Sequence, residues 1–222
     1  MYVLHYAPDN ASLIVRLVLE AHAIPYRTAL VDRSIRAQES AAYRALNPAG
    51  LIPTLETPEG PLSETGAILL WLAQVHELPA GPRVPLFKGL FFLSNTLHSD
   101  LRQLFYPQLY VPSESIAAHH ALITARLLRH FALIEQAAQQ TPDLFTPQGI
   151  MTPYICAMLR WAVLYPKGQN PWLRLSDFPY LHAITLALEA SPAVDIVARA
   201  EGLGPTPFSA PHYPQPPEGV AL

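Results

Sequence analysis

The sequence predicts a protein of two domains, a small α/β domain followed by an all-α domain. Three observations carry this prediction. Strand-type and helix-type apolar patterns alternate in the order β-α-β-α-β-β-α over residues 1–78. Residues 78–85 are then dense in proline and glycine, which is typical of a linker. In residues 86–222 the apolar residues recur at helical spacing, up to an extended C-terminal tail that is rich in proline.

The first half of the small domain has the pattern strand, helix, strand, helix. Residues 2–6 are short and rich in β-forming side chains, and residues 24–31 are a second run of the same kind. Between them, Asn10 or Ser12 can cap a helix that runs to about residue 22. Because a helix separates the two strands, we expect them to pair in parallel. A short helix is expected around residues 41–46.

The next strand is predicted at residues 51–55, directly after a turn formed by Asn-Pro-Ala-Gly at 47–50. Its middle residue is Pro53, which cannot donate to a sheet, so we expect this strand to keep one edge free. A cis peptide bond before Pro53 would turn the backbone of Ile52 outward, toward an extended ligand.

A hairpin and a helix start follow. Pro-Glu-Gly at 58–60 reverses the chain into a brief strand at 61–62, and Ser63, Glu64 and Thr65 open a helix. The first N–H groups of a helix are unpaired and its N-terminal end is positive, so this position can hold an anion. Glu64 can hold a cation. The free strand edge, the helix start and Glu64 together suit a peptide-like zwitterion.

This segment resembles the glutathione site of the glutathione S-transferase superfamily. The resemblance rests on Asn-Pro-x-Gly-x-Ile-Pro-x-Leu at 47–55 and Leu-x-Glu-Thr-x-Ala-Ile-x-x-Trp-Leu at 62–72. It implies a thioredoxin-like N-terminal domain joined to an all-α domain, a homodimer, and glutathione as co-substrate. The residues that it implies for glutathione binding are Ile52, Pro53, Glu64 and Thr65.

The helical domain is expected to begin with one long helix over residues 86–110, bent near Pro107. Further helices are predicted at 113–140, 152–164, 178–189 and 191–201. The many prolines from residue 205 onward predict a tail that lies over the surface without folding.

Part of the helical domain resembles bacterial transferases of the beta type. Thr-Leu-His-Ser at 96–99, followed by Leu-Phe-Tyr-Pro at 104–107, matches their Glu-Leu-His-Lys and Leu-Phe-x-Pro segments. The match implies that His98 faces the glutathione cleft, with an ordinary helix position at the domain boundary as the alternative. The aromatic residues expected to line an apolar pocket for the second substrate are Phe91, Phe92, Phe105, Tyr106 and Tyr110.

The catalytic group expected near the first helix is missing. Beta-type relatives read Pro-Gly-Ala-Cys-Ser-Leu at this helix start, whereas this chain reads Pro-Asp-Asn-Ala-Ser-Leu at 8–13, with Ala11 in the cysteine position. The side chains that can still donate a hydrogen bond to a thiolate are Tyr6, Ser12 and Asn10, of which Tyr6 and Ser12 are preferred. Each also has a structural explanation, as a core aromatic, a helix cap and a turn residue respectively.

Two features near this position oppose an active thiolate site. Asp9 next to a thiolate would raise the thiol pKa through like charge. Leu51 occupies a position where relatives often have a lysine or glutamine side chain that points toward the tripeptide.

We therefore keep several hypotheses. The first is transfer of the glutathione thiol to a small apolar electrophile. The others are a non-catalytic protein that binds glutathione or a hydrophobic ligand, and a glutathione-dependent isomerase or thiol–disulfide reductase, the last weakened by the missing cysteine.

Composition excludes several other classes. A net charge of −3 gives no reason to expect nucleic acid as a partner. Cys156 is the single cysteine, which fits a reducing compartment. The N-terminus lacks the pattern of a signal peptide, and no run of about 18 apolar residues suggests a membrane span, so a cytoplasmic protein is expected. No histidine or cysteine spacing typical of a metal site occurs.

Overall fold

The computed structural model describes residues 1–168 and 171–221. It contains one four-stranded mixed sheet, formed by β1 Tyr2–Tyr6, β2 Tyr26–Leu30, β3 Thr54–Thr57 and β4 Gly60–Ser63. The order of the strands in the sheet is β2-β1-β3-β4. As predicted, β1 and β2 pair in parallel, because the first helix, α1 (Ser12–Ala21), carries the chain from one to the other. Strand β3 runs antiparallel to β1 and forms a hairpin with β4.

Strand β3 begins later than the strand predicted at 51–55. Pro53 has no N–H to contribute to a ladder, and the carbonyl of Leu51 is already occupied. It accepts hydrogen bonds from the hydroxyl of Tyr43, at 2.7 Å, and from the amide of Asn47, at 2.8 Å. The residues before Thr54 therefore form a loop that the side chains of the preceding helix and turn hold in place.

Three helices accompany the sheet, at α1 Ser12–Ala21, α2 Ala41–Leu46 and α3 Thr65–Val75. Helix α1 buries an apolar face that includes Leu13, Ile14 and Leu17, and it also packs against two helices of the C-terminal half. This position explains why α1 has no fully polar face. The sheet and these helices form the expected thioredoxin-like arrangement.

The helix predicted over 86–110 is divided. Helix α4, Arg83–Phe92, continues through a π-helical turn at Leu93–Leu97 into α5, His98–Phe105. The helix ends before Pro107, which lacks the N–H that would extend it and starts a separate 3₁₀ turn, Pro107–Leu109. A π-helical turn inserts an extra residue into the helix, so it changes which side chains face the sheet domain.

Four further helices follow, α6 Ile116–Gln140, α7 Met151–Leu164, α8 Pro179–Glu189 and α9 Pro192–Glu201. They agree with the predicted segments to within about three residues, a difference that is common at helix ends. Helix α7 is the central element, because nearly all of its side chains are buried. Among the described residues no single helix is both long and apolar enough to cross a membrane, and only α8 and α9 meet that requirement together, across a bend of 86°.

The C-terminal tail forms no helix or strand in its described part, but it is fixed more firmly than its composition predicts. The ring of Phe208 is fully buried. The N–H of Gln215 donates to the carbonyl of Gly202 at 2.8 Å. Gly202 has φ +65°, and a Cβ there would lie 2.0 Å from the Gln215 oxygen, so the contact requires glycine. The division into domains at residues 1–78 and 86–222 stays a prediction.

Candidate functional site

A cavity of about 780 Å³ opens between the loops of the sheet domain and helices α5 and α7. The sheet domain contributes the turn after β1, the loop after α2 and the start of α3. The helical half contributes α5, the turn that follows it, and two aromatic residues of α7, Tyr154 and Trp161. Of the residues predicted for the site, Asn10, Ile52, Pro53, Glu64, Thr65 and His98 border this cavity.

Ile52 and Pro53 form one wall, and the peptide bond between them is cis. In the described part of the chain, no group hydrogen-bonds to the backbone N–H or C=O of Ile52. The carbonyl before it is held by Tyr43 and Asn47, so the loop is fixed on one side and open on the other. A backbone with unpaired N–H and C=O groups beside a cavity can pair with an extended peptide.

Glu64 and Thr65 form a second wall at the start of α3. Glu64 has φ +68°, which is uncommon for a residue with a side chain and costs of order 1 kcal/mol. Its carboxylate has no cationic partner within salt-bridge distance among the described residues. Thr65 is buried in the first turn, where free N–H groups favour an anion. The two residues therefore offer a site for a cation next to a site for an anion.

The three residues proposed to contact a sulfur lie in different places. Tyr6 is buried and donates its hydroxyl to Glu218 of the tail, and burial, followed by this hydrogen bond, raises its pKa. Ser12 is fully buried, donates to the Ala7 carbonyl at 3.0 Å and accepts the Ala7 N–H at 3.2 Å. Neither Tyr6 nor Ser12 is among the cavity-lining residues.

Asn10, the least preferred of the three from sequence, borders the cavity. Its side-chain oxygen accepts the N–H of Ala11 at 2.8 Å, which leaves the amide nitrogen as the group available to donate. Ala11 also borders the cavity, with a methyl group that has no polar chemistry. The sequence-based preference for Tyr6 and Ser12 as donors to the sulfur therefore conflicts with their positions, because both hydroxyls already donate to other groups.

Asp9 also borders the cavity, but its carboxylate already has hydrogen-bond partners. Its carboxylate accepts hydrogen bonds from Arg160 at 2.8 and 3.0 Å and from the indole N–H of Trp161 at 2.8 Å, and both Asp9 and Arg160 are buried. The sequence suggested that Asp9 would raise the pKa of a nearby thiol. The bidentate contact with Arg160 neutralises that negative charge, so the objection loses most of its force.

A second buried carboxylate supports the same turn. Glu201 of α9 accepts the Asp9 N–H at 2.9 Å and a hydrogen bond from Arg16 at 3.3 Å. Burial raises the pKa of Glu201 to about 7, although Arg16 and the Asp9 N–H oppose this change. The turn that presents Asn10 to the cavity is therefore fixed by two acids and two arginines.

His98 borders the cavity from the first turn of α5. Its Nδ1 lies 3.2 Å from the hydroxyl of Tyr154, and its ring lies 5.7 Å from that of Trp161. Burial, followed by the positive charge of Arg102, lowers the pKa of His98 to about 4. The ring is therefore neutral near pH 7 and can exchange hydrogen bonds, but it does not supply a positive charge.

The aromatic pocket predicted for a second substrate is only partly present. Phe105, Tyr106 and Tyr110 border the cavity. Phe91 is largely exposed on α4, and Phe92 packs edge-on against His130, with ring centroids 5.4 Å apart.

The cavity also carries positive charge that sequence reasoning missed. Its cationic lining residues come from the loop after β2, from α2 and from α5, and only the first of these stretches was visibly rich in charge. The lining cations are Arg33, Arg36, Arg44 and Arg102.

Comparison with known proteins agrees with this geometry. Residues 11–75 match the family model described as the glutathione S-transferase N-terminal domain. The chain is 26% identical to the glutathione S-transferase GST-4.5 of Xanthomonas campestris pv. campestris over 210 residues, which cover 90% of this chain and 98% of the relative.

Solved structures share the whole fold. A glutathione transferase homologue from Sulfitobacter with bound glutathione superposes with a TM-score of 0.75 at 21% identity, covering 89% of this chain and 96% of that one. A beta class glutathione S-transferase from Sphingomonas chungbukensis superposes with a TM-score of 0.72 at 22% identity, covering 90% of this chain and 98% of that one. Residues 11–75 therefore match the N-terminal domain of glutathione S-transferases, and the chain as a whole is similar to glutathione S-transferases in sequence and in fold.

Proposed function

We propose that this protein binds glutathione along Ile52 and Pro53 and activates its thiol for attack on a small electrophile. The observation that carries the proposal is the convergence of three open groups on one cavity. These are the unpaired backbone of Ile52, the unpaired carboxylate of Glu64 and the free N–H groups at the start of α3. Glutathione has a matching set, namely a peptide backbone, an ammonium group and a carboxylate.

Each open group has a role in holding the tripeptide. The N–H and C=O of Ile52 pair with the backbone of the cysteinyl residue, as a strand edge does. Glu64 accepts hydrogen bonds from the ammonium of the γ-glutamyl end. Thr65 and the first N–H groups of α3 receive the neighbouring carboxylate, where the helix dipole favours negative charge. The Sulfitobacter homologue was solved with bound glutathione, which supports the choice of ligand.

The start of α1 then stabilises the thiolate. A free thiol titrates near pH 8.5, and hydrogen-bond donors and a helix N-terminus lower that value. Asn10 borders the cavity with a free amide donor, and α1 begins two residues later. Arg160 neutralises Asp9, so the negative charge nearest to the sulfur is compensated. Asn10 is therefore the side chain that we assign to the sulfur.

Turnover with a generic aryl halide, combined with calorimetric titration of glutathione, tests this function. We expect glutathione to bind and the halide to be consumed only when glutathione is present. The rival function is a binding protein, which is favoured by the methyl group of Ala11 in the cavity wall and by the exposed Leu51. Binding without turnover would establish the rival. Absence of glutathione binding would refute both thiol transfer and the glutathione-binding form of the rival.

Reductase activity has less support. Cys156 is fully buried in α7, and burial raises the pKa of its thiol well above the ordinary value. A thiol in this environment does not attack a mixed disulfide readily, because the thiolate is the reactive form.

We also propose a homodimer. Helix α4 exposes an apolar stripe formed by Val84, Phe87 and Phe91, which are 77%, 40% and 57% accessible. Exposed apolar residues in a stripe mark an interaction surface. Light scattering should give twice the 24.5 kDa of one chain. Phe91→Glu should reduce this mass to that of a monomer, whereas Leu122→Glu on the exposed face of α6 should not. A wild-type mass of one chain at micromolar concentration would refute the dimer.

A further inference from the structure

We propose that the electrophile used by this protein carries a carboxylate or a similar anionic group, which is bound by Arg33 and Arg102. The inference deepens the proposed function and rests on it. It replaces the small apolar electrophile expected from the sequence with an acidic one. The four side chains that form this part of the cavity, here called the arginine wall, are Arg33, Arg102, Tyr106 and Tyr110.

The first half of the arginine wall joins the two parts of the chain. Arg33, in the loop after β2, donates from Nη2 to the hydroxyl of Tyr106 at 2.9 Å. Its other terminal nitrogen, Nη1, is buried and has no hydrogen-bond partner among the described residues. A buried donor without an acceptor is unfavourable, so an acceptor supplied by a ligand would stabilise this arrangement.

The second half of the arginine wall lies on the helical side. Arg102 of α5 donates from Nη1 to the hydroxyl of Tyr110 at 2.6 Å. In both pairs the phenol oxygen accepts from a guanidinium group, so each phenol O–H remains able to donate. Two guanidinium groups and two phenol hydroxyls are therefore collected around one end of α5, and this donor set suits the oxygens of a carboxylate.

The charge of the arginine wall is not balanced within the described chain. Neither Arg33 nor Arg102 has a carboxylate within salt-bridge distance there, whereas Arg36 pairs with Glu39 at 2.7 Å. Glu64 is the cavity acid left without a partner in the same residues, and the proposed function assigns it to the ammonium of glutathione. An incoming anion is the remaining way to neutralise Arg33 and Arg102.

Glutathione itself has a second carboxylate, at its glycyl end, and that group is the competing occupant. Arg44 of α2 also borders the cavity without an acidic partner in the described residues, and it is close to the loop that holds Leu51 and Ile52. We therefore assign Arg44 to the tripeptide and the arginine wall to the second substrate. An experiment that varies the two substrates separately distinguishes these assignments.

The test uses two matched electrophiles, 4-chloro-3,5-dinitrobenzoate and its methyl ester. In the reaction, the thiolate sulfur forms a bond to the ring carbon that carries chlorine. Chloride leaves with the bonding electron pair, and the thiol proton passes to solvent. The two compounds differ in the charge of the group opposite the reacting carbon. For wild-type protein, the ratio of kcat/KM for the benzoate to kcat/KM for the ester should therefore be higher than the ratio of their uncatalysed rates.

We expect Arg102→Gln, and separately Arg33→Gln, to lower kcat/KM for the benzoate about ten- to a hundredfold. The ester should change by less than about threefold, and the KM for glutathione should stay the same. Arg199→Gln is the matched control, because Arg199 is exposed on α9 and is paired with Asp195. Equal losses for both electrophiles would overturn the inference, as would a rise in the KM for glutathione alone.

If wild-type protein consumed neither electrophile, thiol transfer would fail as a function, and binding would decide the inference. Calorimetric titration of 3,5-dinitrobenzoate and of its methyl ester, each with S-methylglutathione present, measures the preference for the anion directly. Tighter binding of the anion that disappears in Arg102→Gln would support the arginine wall. Equal binding of the two probes by wild-type protein would overturn it.

Discussion

The two sides of the turn at Asp9 and Asn10 treat charge in opposite ways. Behind the turn, Asp9 pairs with Arg160 and Glu201 pairs with Arg16, and all four groups are largely buried. In front of it, the cavity carries Glu64 together with several arginines that have no oppositely charged partner in the described residues. Asp9 itself also borders the cavity, so the two environments meet at the Asp9–Asn10 peptide bond.

This difference separates structural charges from ligand-binding charges. A buried charge is tolerated when it is paired and hydrogen-bonded, so the rear network is needed for folding. A charge that borders a cavity without a partner contributes little to folding and is available to a ligand. Changes behind the turn should therefore alter stability, and changes in front of it should alter binding while stability is retained.

The largest effect is expected from Arg160→Met. This change leaves the Asp9 carboxylate buried without its cation, and removing one partner of a buried pair typically costs about 3–5 kcal/mol. It also removes the hydrogen bonds from Arg160 to the carbonyls of Pro207 and His212, which hold the tail. Urea unfolding followed by circular dichroism measures the loss.

Arg199→Met is the control for this change, because its ion pair with Asp195 is exposed and a surface change of this kind is expected to stay within about 0.5 kcal/mol. The double variant Asp9→Asn with Arg160→Met should recover part of the loss, since it no longer buries an unpaired charge. If Arg160→Met and Arg199→Met unfold at the same urea concentration, the rear network does not have the role assigned to it.

The next effect concerns pH. Burial raises the pKa of Glu201 to about 7 in the folded protein, above its ordinary value of 4.5. Folding therefore favours the protonated carboxyl. The stabilisation that the protonated Glu201 contributes is fully present below the unfolded pKa and is lost as pH rises through the folded pKa. Its size is about 1.4 kcal/mol for each unit by which the folded pKa exceeds the unfolded pKa.

Stability of wild-type protein relative to Glu201→Gln should therefore fall between about pH 4.5 and about pH 7. Urea midpoints of the two proteins across this range give the difference. Asp195→Asn on the exposed face of the same helix controls for general effects of removing a charge. Parallel pH curves for wild type and Glu201→Gln would show that Glu201 keeps an ordinary pKa.

The front of the turn was easier to predict from sequence than the rear. Ile52, Pro53, Glu64 and Thr65 lie within one short hairpin-and-helix segment, and the local turn and the start of the helix place all four at one cavity. The rear network joins residues that are far apart in the chain, such as Asp9 and Arg160 at a separation of 151. Neither propensity nor periodicity contains information on such a pairing.

The same reason explains the other differences. Proline content correctly predicted that the tail lacks regular structure up to residue 221, but it could not predict that Phe208 is buried or that Glu218 reaches Tyr6. The contact between Arg33 and Tyr106 crosses 73 residues, so an aromatic pocket was expected where the structure has arginine–tyrosine pairs. Tertiary contacts, not local sequence, determine which hydroxyl groups remain free.

A smaller effect is expected in front of the turn, from Glu64→Gln. This variant removes the charge and keeps the shape, so the backbone at φ +68° does not have to change. A hydrogen bond to a charged group contributes about 1.5–3 kcal/mol, which corresponds to about a ten- to hundredfold weaker affinity for glutathione. Calorimetry measures the affinity.

Urea unfolding of Glu64→Gln should match wild type to within about 0.5 kcal/mol, in contrast to Arg160→Met. Glu59→Gln, in the exposed hairpin turn, is the matched control for binding. Unchanged affinity for glutathione in Glu64→Gln would remove Glu64 from the site.

The smallest effect, and the one that distinguishes the two sides most finely, is expected from Asn10→Ala. Asn10 borders the cavity next to Asp9, which belongs to the rear network. If the Asn10 amide donates to the sulfur, its removal raises the pKa of the bound thiol. Each unit of this increase corresponds to about 1.4 kcal/mol of lost thiolate stabilisation. Turnover near neutral pH should fall about tenfold for each unit, while ground-state affinity changes little.

Ultraviolet absorbance of the thiolate in bound glutathione, titrated against pH, measures this shift directly. Tyr6→Phe and Ser12→Ala are the comparison variants, because both hydroxyls are bonded elsewhere, to Glu218 and to Ala7, and should leave the thiol pKa unchanged. A shift in Tyr6→Phe alone would mean that the phenol leaves the tail to reach the sulfur. If all three variants titrate like wild type, the backbone N–H groups at the start of α1 are the donors. If the thiol bound to wild-type protein titrates like free glutathione, the fold holds the peptide without activating it, and the protein is a binding protein.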